Sequence, residues 1–260
     1  MDRHQLYETA VQQPERMVQF IERICRGRHV KSPRVLREDF CGTANLATTW
    51  VRSAPGRRAV AVDSDAAVLA YANQRHRRPL GSAAGRLRLV HADVLRCGAR
   101  ADVIVSLNFS HFIYKSRAEL LRYLRHARRC LSAGGMVICD AYGGPAAQRP
   151  CVDRRRFGDF TYLWEQVRYD PITAQAWNEI HFRMRNGSRI DRAFRYHWRL
   201  WTLAELCDVL GEAGFARPEI WYETGRGLSN RFDPAKVEAW VAYLVTRPAG
   251  DLRRPKQFPA

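Results

Sequence analysis

Val35-Leu36-Arg37-Glu38-Asp39-Phe40-Cys41-Gly42-Thr43-Ala44, followed by an amphipathic run and then by Arg58-Ala59-Val60-Ala61-Val62-Asp63, decides the fold of this chain. A short apolar stretch runs into a turn of small residues, and the second apolar stretch ends on an acid. The pattern predicts strand, tight turn, helix and second strand, with the Asp63 carboxylate at the carboxyl end of the second strand. In open α/β sheets that layout binds an adenosine-containing ligand. The turn lets the backbone come close to the ligand, and an acid about 20 residues on reaches ribose hydroxyls. Neither G-x-G-x-x-G nor G-x-x-x-x-G-K-[ST] occurs, which argues against a dinucleotide or phosphate site.

Working outward, Leu87-Arg88-Leu89-Val90-His91-Ala92-Asp93-Val94 reads as a third strand ending on an acid. Ala101-Asp102-Val103-Ile104-Val105-Ser106-Leu107-Asn108 reads as a buried parallel strand entered through an acid. Helical periodicity then runs through Leu120, Leu121, Leu124, Ala127 and Leu131. It stops at Ser132-Ala133-Gly134-Gly135, before the strand Met136-Val137-Ile138-Cys139-Asp140.

The segment from Glu38 to Ala44 resembles the first motif of the class I S-adenosylmethionine-dependent methyltransferases, an acidic residue followed by a Gly-x-Gly-x-Gly turn that typically ends Cys-Gly-Thr-Gly. Phe40 stands where that family has its first glycine and Ala44 where it has its third; Gly42 and Thr43 remain. Phe40 is the larger departure, because phenylalanine does not easily take a positive φ; the expectation is that it crowds the methionine end of the cofactor or shifts the turn. The later strands and the helix, Gly-Gly turn and strand that close them resemble the family too, over residues 30–145 and more loosely over 200–248. The resemblance implies a Rossmann-like seven-stranded sheet, mostly parallel with its last strand antiparallel, and S-adenosyl-L-methionine as cofactor. It implies cofactor contacts from Phe40, Cys41, Gly42, Thr43 and Ala44 in the turn, and from Asp63 with Ser64 at the ribose. Asp93 and Val94 fall near the adenine, and Asn108 and Phe109 at the mouth of the site. Either Glu38 or Asp39 faces the methionine amino group, and Arg37 meets the methionine carboxylate.

Each residue also has a plainer reading. Asp63 would be a helix N-cap, Asp93 a solvated loop acid, and Arg37 half of a surface ion pair. His111, at the expected mouth, is the candidate general base, since histidine titrates near neutrality; its plainer role is packing.

Composition sets bounds. The 260 residues suffice for one domain, or one with an insertion, and 46% hydrophobic content argues against disorder. No run approaches the roughly 18 apolar residues of a membrane span, and Met1-Asp2-Arg3-His4 lacks a signal-peptide core, so a cytoplasmic protein without membrane partners is expected. The seven cysteines are scattered with no Cys-x-x-Cys pair, so no metal site is expected. The formal charge of +17 is almost all arginine, with clusters at Arg75/Arg77/Arg78, Arg154–Arg156 and Arg253/Arg254. Such a surface attracts polyanions without specifying one, and no nucleic-acid-binding module accompanies it.

Residues 1–30 read as a helical lead-in, with Met17, Val18, Phe20, Ile21 and Ile24 at helical spacing, that forms a lid. Residues 31–144 and 202–248 form the core, which resumes at Thr202 with a capping box to Glu205. Between them, residues 145–201 change to strand-like period. Phe160–Tyr169, Trp177–Arg185 and Arg192–Trp201, with Asn186-Gly187 as a hairpin signal, predict a three-stranded antiparallel cap. Residues 249–260 read as a basic tail. Tyr7 and Gln12 of the lead-in, with Tyr142, Trp164, Trp177 and His181, are the candidate substrate contacts. The expected reaction moves a methyl group to nitrogen or oxygen of a small or medium-sized acceptor. His111, Glu165, Glu179 or His181 would serve as base where the acceptor arrives protonated. RNA methylation and a non-catalytic cofactor-binding scaffold are the alternatives; oligomeric state is left open.

Overall fold

The computed structural model describes residues 1–27, 33–225 and 227–250. Five parallel strands, β1 (Val35–Asp39), β2 (Arg58–Asp63), β3 (Leu87–His91), β4 (Ala101–Ser106) and β5 (Leu131–Gly143), lie side by side in the order β5-β4-β1-β2-β3. Helices α3 (Asn45–Ser53), α4 (Ala66–Ala72) and α5 (Arg117–Arg129) make three of the crossovers. Beyond β5 the sheet continues with antiparallel partners: β12 (Trp240–Thr246), then β10 (Glu219–Thr224), then β11 (Gly227–Ser229). The sheet therefore has eight strands where seven are expected, because the chain folds back after β10 in the three-residue β11.

The cap also has one strand more than expected. It is a four-stranded antiparallel sheet of β6 (Cys151–Phe157), β7 (Phe160–Asp170), β8 (Gln175–Met184) and β9 (Arg189–Arg199), in chain order. β6 carries Asp153-Arg154-Arg155-Arg156 and shows no apolar alternation; it is an exposed edge strand, and charge is what keeps an edge from pairing further.

Apolar residues of the central strands alternate between two packed layers, as a sheet covered on both faces requires. Ile104 and Val137 face α5 and α6 (Leu203–Glu212), packing with Leu124, Leu206 and Leu210. Leu36, Val103, Val105 and Ile138 face the other way, with Trp50 of α3 and Ile21. Each such fully buried side chain contributes about 1.5–3 kcal/mol. Capping boxes at Ser116/Glu119 and Thr202/Glu205 open α5 and α6. Leu131, in helical phase by sequence, already belongs to β5.

The lead-in is two helices, α1 (Arg3–Val11) and α2 (Pro14–Gly27), because Pro14 starts the second, where its missing N–H loses nothing. α2 lays Met17, Val18, Phe20, Ile21 and Ile24 on the core. α1 instead buries Leu6 and Ala10 against Phe160, Tyr162 and Phe182 of the cap. His76, just after α4, contacts Glu8 of α1 at 2.7 Å. The lead-in thus touches both sheets. No helix among the described residues is long and apolar enough to cross a membrane. The expected tail lies, from residue 251 on, outside the described residues.

Candidate functional site

Alternation along β1 divides its three charged residues between the two faces of the sheet. Glu38 pairs with Val105 of β4, which pairs with Ile138 of β5, so Glu38 points towards α2 and α3. Arg37 and Asp39 pair with Ile104 and Ser106 and point towards α5. There Arg37 Nε donates to Asp39 Oδ1 at 2.6 Å and Nη2 to Oδ2 at 3.1 Å, while Nη1 and Nη2 reach the carbonyls of Cys97 and Val94. Tyr123 Oη donates to Asp39 Oδ2 at 3.1 Å. Burial works against the Arg37 charge, but Asp39 outweighs it and raises the guanidinium pKa. Arg37 and Asp39, two of the three charged residues expected at the cofactor's methionine end, form a closed internal pair, neither on the surface nor in a cavity.

Glu38 is the acid that faces open space. Its Oε2 accepts the Ala47 amide of α3 at 2.8 Å, and among the described residues it has no ion pair. Burial raises its pKa to about 8, partly offset by that amide, with Asp63 and Asp39 adding to the rise.

The turn after β1 is left-handed at Phe40 (φ 57°), Gly42 (φ 51°) and Ala44 (φ 56°). For non-glycine residues that conformation costs about 1–2 kcal/mol each. Phe40 does not crowd the turn. Its ring leaves on the α5 side, 5.6 Å from Tyr123 and 6.2 Å from Tyr114, and the backbone keeps the shape a glycine would give. Space above Gly42 is open: a Cβ there would meet nothing within 4 Å. Its N–H donates to Asp63 Oδ2 at 2.8 Å, and Asp63 Oδ1 accepts the Asp65 amide. Asp65, not Asp63, caps α4. Cys41 and Ala44 are buried small residues; Thr43 is buried with Oγ1 lacking a partner. A carboxyl without counter-charge, an open glycine backbone, an orphaned hydroxyl and an acid at the next strand end fit a ligand with one cationic amine and a ribose. Farther along the edge, Ser64 and Asp93 are exposed, Asp93 accepting the Leu95 amide at 2.8 Å, and Val94 is buried beneath.

A cavity of about 640 Å³ opens at the carboxyl ends of β1, β4 and β5, lined by Gln12, Glu38, Leu46, Asn108, Asp140 and Tyr243 among others. Asn45 Nδ2 donates to Gln12 Oε1 at 3.0 Å, tying the link between α1 and α2 to the start of α3. Asp140 is a second buried carboxyl that sequence reading takes only as a strand end. Its signal was the one that marks Asp63, an acid closing an apolar strand. Its oxygens accept the amides of Asn108 (2.7 Å) and Phe109 (2.8 Å), both left-handed at φ 55° and 60°. Burial raises its pKa to about 7, partly offset by those amides.

His111 sits in the 3₁₀ turn Ser110–Ile113, 1% exposed, and does not line this cavity. Its Nδ1 lies 3.3 Å from Ser106 Oγ, and Nε2 has no partner. Burial lowers its pKa to about 3, which leaves it neutral and a weak base near pH 7.

The expected substrate residues divide by strand parity. Trp164 pairs with Ile180 on the inner face of the cap, near Tyr142, Tyr196 and Trp198. Tyr142 in turn lies 4.8 Å from Phe109. Tyr7 packs against Phe194 at 5.0 Å and hydrogen-bonds Tyr196. Trp177 and His181, of opposite parity to Ile180, are turned outward. Trp177 stacks on His197 at 4.4 Å, and His181 lies 3.2 Å from Glu165 and 3.6 Å from Glu179. The alternative bases Glu165, Glu179 and His181 therefore sit together on the far side of the cap.

Residues 41–137 match the family model described as a methyltransferase domain. No curated protein matches the sequence. Among solved structures, an S-adenosylmethionine-dependent methyltransferase from Clostridium acetobutylicum has a TM-score of 0.72 at 18% identity, covering 95% of this chain and 98% of that one. The CcbJ methyltransferase from Streptomyces caelestis has a TM-score of 0.71 at 18% identity, covering 93% and 98%. CalS10, an amino pentose methyltransferase from Micromonospora echinaspora with S-adenosylmethionine bound, has a TM-score of 0.65 at 17% identity, covering 92% and 95%. At these identities the likeness is one of fold, and it extends along nearly the whole chain.

Proposed function

We propose that the chain is a class I, S-adenosylmethionine-dependent methyltransferase that methylates nitrogen or oxygen of a small or medium-sized acceptor, a reading that the methyltransferase-domain match over residues 41–137 supports. The observation that carries this reading is the cavity at the strand ends, with Glu38 in its lining and the α1–α2 link as one wall. Its volume suits small ligands rather than a polymer groove. CalS10, whose fold is similar, is an amino pentose methyltransferase, and an acceptor of that size class would suit this cavity too.

S-adenosylmethionine supplies an electrophilic methyl group on a sulfonium. Glu38 would hold the cofactor's amine, the open backbone at Gly42 and Thr43 would take its body, and Asp63 would bind the ribose hydroxyls. The bond from the Gly42 amide fixes the Asp63 carboxylate relative to the turn, so the two contacts are set together. In-line displacement needs little else beyond a near-attack separation of about 3 Å.

Calorimetric titration with S-adenosylmethionine and S-adenosylhomocysteine tests the reading. Wild type is expected to bind both, and Asp63→Ala and Glu38→Gln each to weaken binding by about tenfold or more, or ~1.4 kcal/mol. A wild-type protein that binds neither ligand overturns it.

A further inference from the structure

We propose that Asp140 is the acceptor-binding residue, holding an amine in the cavity apart from Glu38 and taking the proton that the amine must lose to become a nucleophile. The proposal rests on the methyl-transfer reading and deepens it.

Geometry points to this residue. Val105 and Ile138 carry the face of Glu38 across the sheet, and Asp140, two residues beyond Ile138, continues it. Two strand spacings and two residues of rise put the two acids roughly 10 Å apart across the sheet and about 7 Å along it. They share a cavity without sharing a proton. Asp140 is 3% exposed and borders that cavity beside its register partner Tyr243. The backbone bends to serve it: Asn108 and Phe109 take left-handed conformations and aim both their amides at its carboxyl oxygens. Strain of this kind persists where surroundings hold it, and it clusters at functional sites. Two N–H donors orient a carboxylate and leave outward lone pairs for a ligand.

No cation is paired with it. Among the described residues Asp140 has no ion pair; the charged or titratable groups that bear on it are Glu223 of β10, Tyr243 of β12, Tyr7 of α1 and the adjacent Cys139, and Arg16, Arg23 and Arg26 of α2 line the same cavity without bonding to it. A buried acid with no ion pair, held by two amides that leave oxygen lone pairs free, can take a cationic ligand in the cavity it shares with Glu38. Glu165, Glu179 and His181 lie outside the cap, and His111 is walled off, so none competes for the proton. A carboxyl titrating at about 7 is also a better proton acceptor for an ammonium than an ordinary aspartate.

The step balances simply. The acceptor ammonium gives one proton to Asp140 Oδ; the freed nitrogen lone pair forms the N–CH₃ bond as the S–CH₃ bond breaks, and its electrons stay on sulfur. The products are a methylated ammonium, a thioether and the one proton that passed to Asp140.

The test uses the full protein saturated with S-adenosylhomocysteine, titrated calorimetrically with two matched pairs, D-glucosamine against D-glucose and tyramine against tyrosol. At least one amine is expected to bind about tenfold tighter than its hydroxyl counterpart, ~1.4 kcal/mol. Asp140→Asn should erase that preference while leaving S-adenosylhomocysteine affinity within about twofold. Wild-type protein carrying ¹³C-carboxyl aspartate gives a reading independent of any variant: the resonance that titrates near pH 7 should move to lower pH when the amine is added. The kcat/KM for the preferred amine should rise through about pH 7, the ligand-free value, and Asp140→Asn should lower kcat by roughly 10² or more. An amine preference that survives Asp140→Asn, equal binding of amine and hydroxyl partners, or no amine binding to loaded protein overturns the assignment while leaving the cofactor site standing. Failure of S-adenosylhomocysteine to bind overturns both.

Discussion

Glu38 and Asp39 are neighbours in sequence and opposites in the molecule. Asp39 looks towards α5, where Arg37 and Tyr123 meet its oxygens and its charge is answered. Glu38 looks towards α2 and α3, where one amide reaches it and, among the described residues, no ion pair forms. The same contrast separates the two faces of the sheet edge. The back is satisfied and serves the fold. The front collects two acids that have no ion pair among the described residues and, at its rim, left-handed residues, and it is the face proposed to take the ligand. Burial alone does not mark function; burial without an answering group does.

That contrast can be broken by substitution. Asp39→Ala should destabilise the fold by about 3–5 kcal/mol, because the Arg37 guanidinium is left buried and uncompensated. Near pH 4, Glu38→Gln should leave stability within about 1 kcal/mol of wild type, since it removes no ion pair. Urea unfolding measures both, and equal damage from the two would erase the distinction between the faces.

A pH series sharpens it. Glu38 and Asp140 have folded-state pKa values of about 8 and 7, above the ordinary 4.5 and 3.8. A raised carboxyl pKa favours the folded state most at low pH, and the advantage is lost as pH rises through the folded value. Ligand-free wild type should therefore lose stability between pH 4 and pH 8 relative to a Glu38→Gln/Asp140→Asn double variant. Parallel curves for the two proteins, by denaturation at each pH, would show that these acids titrate normally.

The smallest expected effect concerns the turn. Ala44→Gly should stabilise the protein by about 1 kcal/mol, relieving a left-handed alanine at the start of α3. A loss of stability would mean that the packed Ala44 methyl outweighs the strain.

Much of this was legible in the chain. The buried strands announce themselves as apolar runs closed by Asp63, Asp93 and Asp140, and Asn186-Gly187 marks its hairpin. β6 was not legible, because a charged edge strand carries no alternation. Neither was the choice between Glu38 and Asp39, which needs the register of β1 on β4. Phe40 misled for a sound reason: its side chain disfavours the left-handed region, yet its packing against Tyr123 holds it there. In the cap, aromatic residues stand on both faces. Composition could not separate Trp164, inside, from Trp177, outside; only pairing with Ile180 does.

The lead-in has a dynamic consequence. α1 is docked on the cap, α2 on the core, and the link at Gln12-Gln13-Pro14 passes over the cavity as one of its walls. If that wall must lift for a ligand to exchange, α1 has to peel from the cap or the cap has to tilt with it. Ligand exchange and partial undocking of the first helix would then be one event, its frequency set by how firmly Leu6, Tyr7 and Ala10 are seated. The turnover clock of this protein would sit in its first eleven residues, on a helix that itself buries only Leu6 and Ala10.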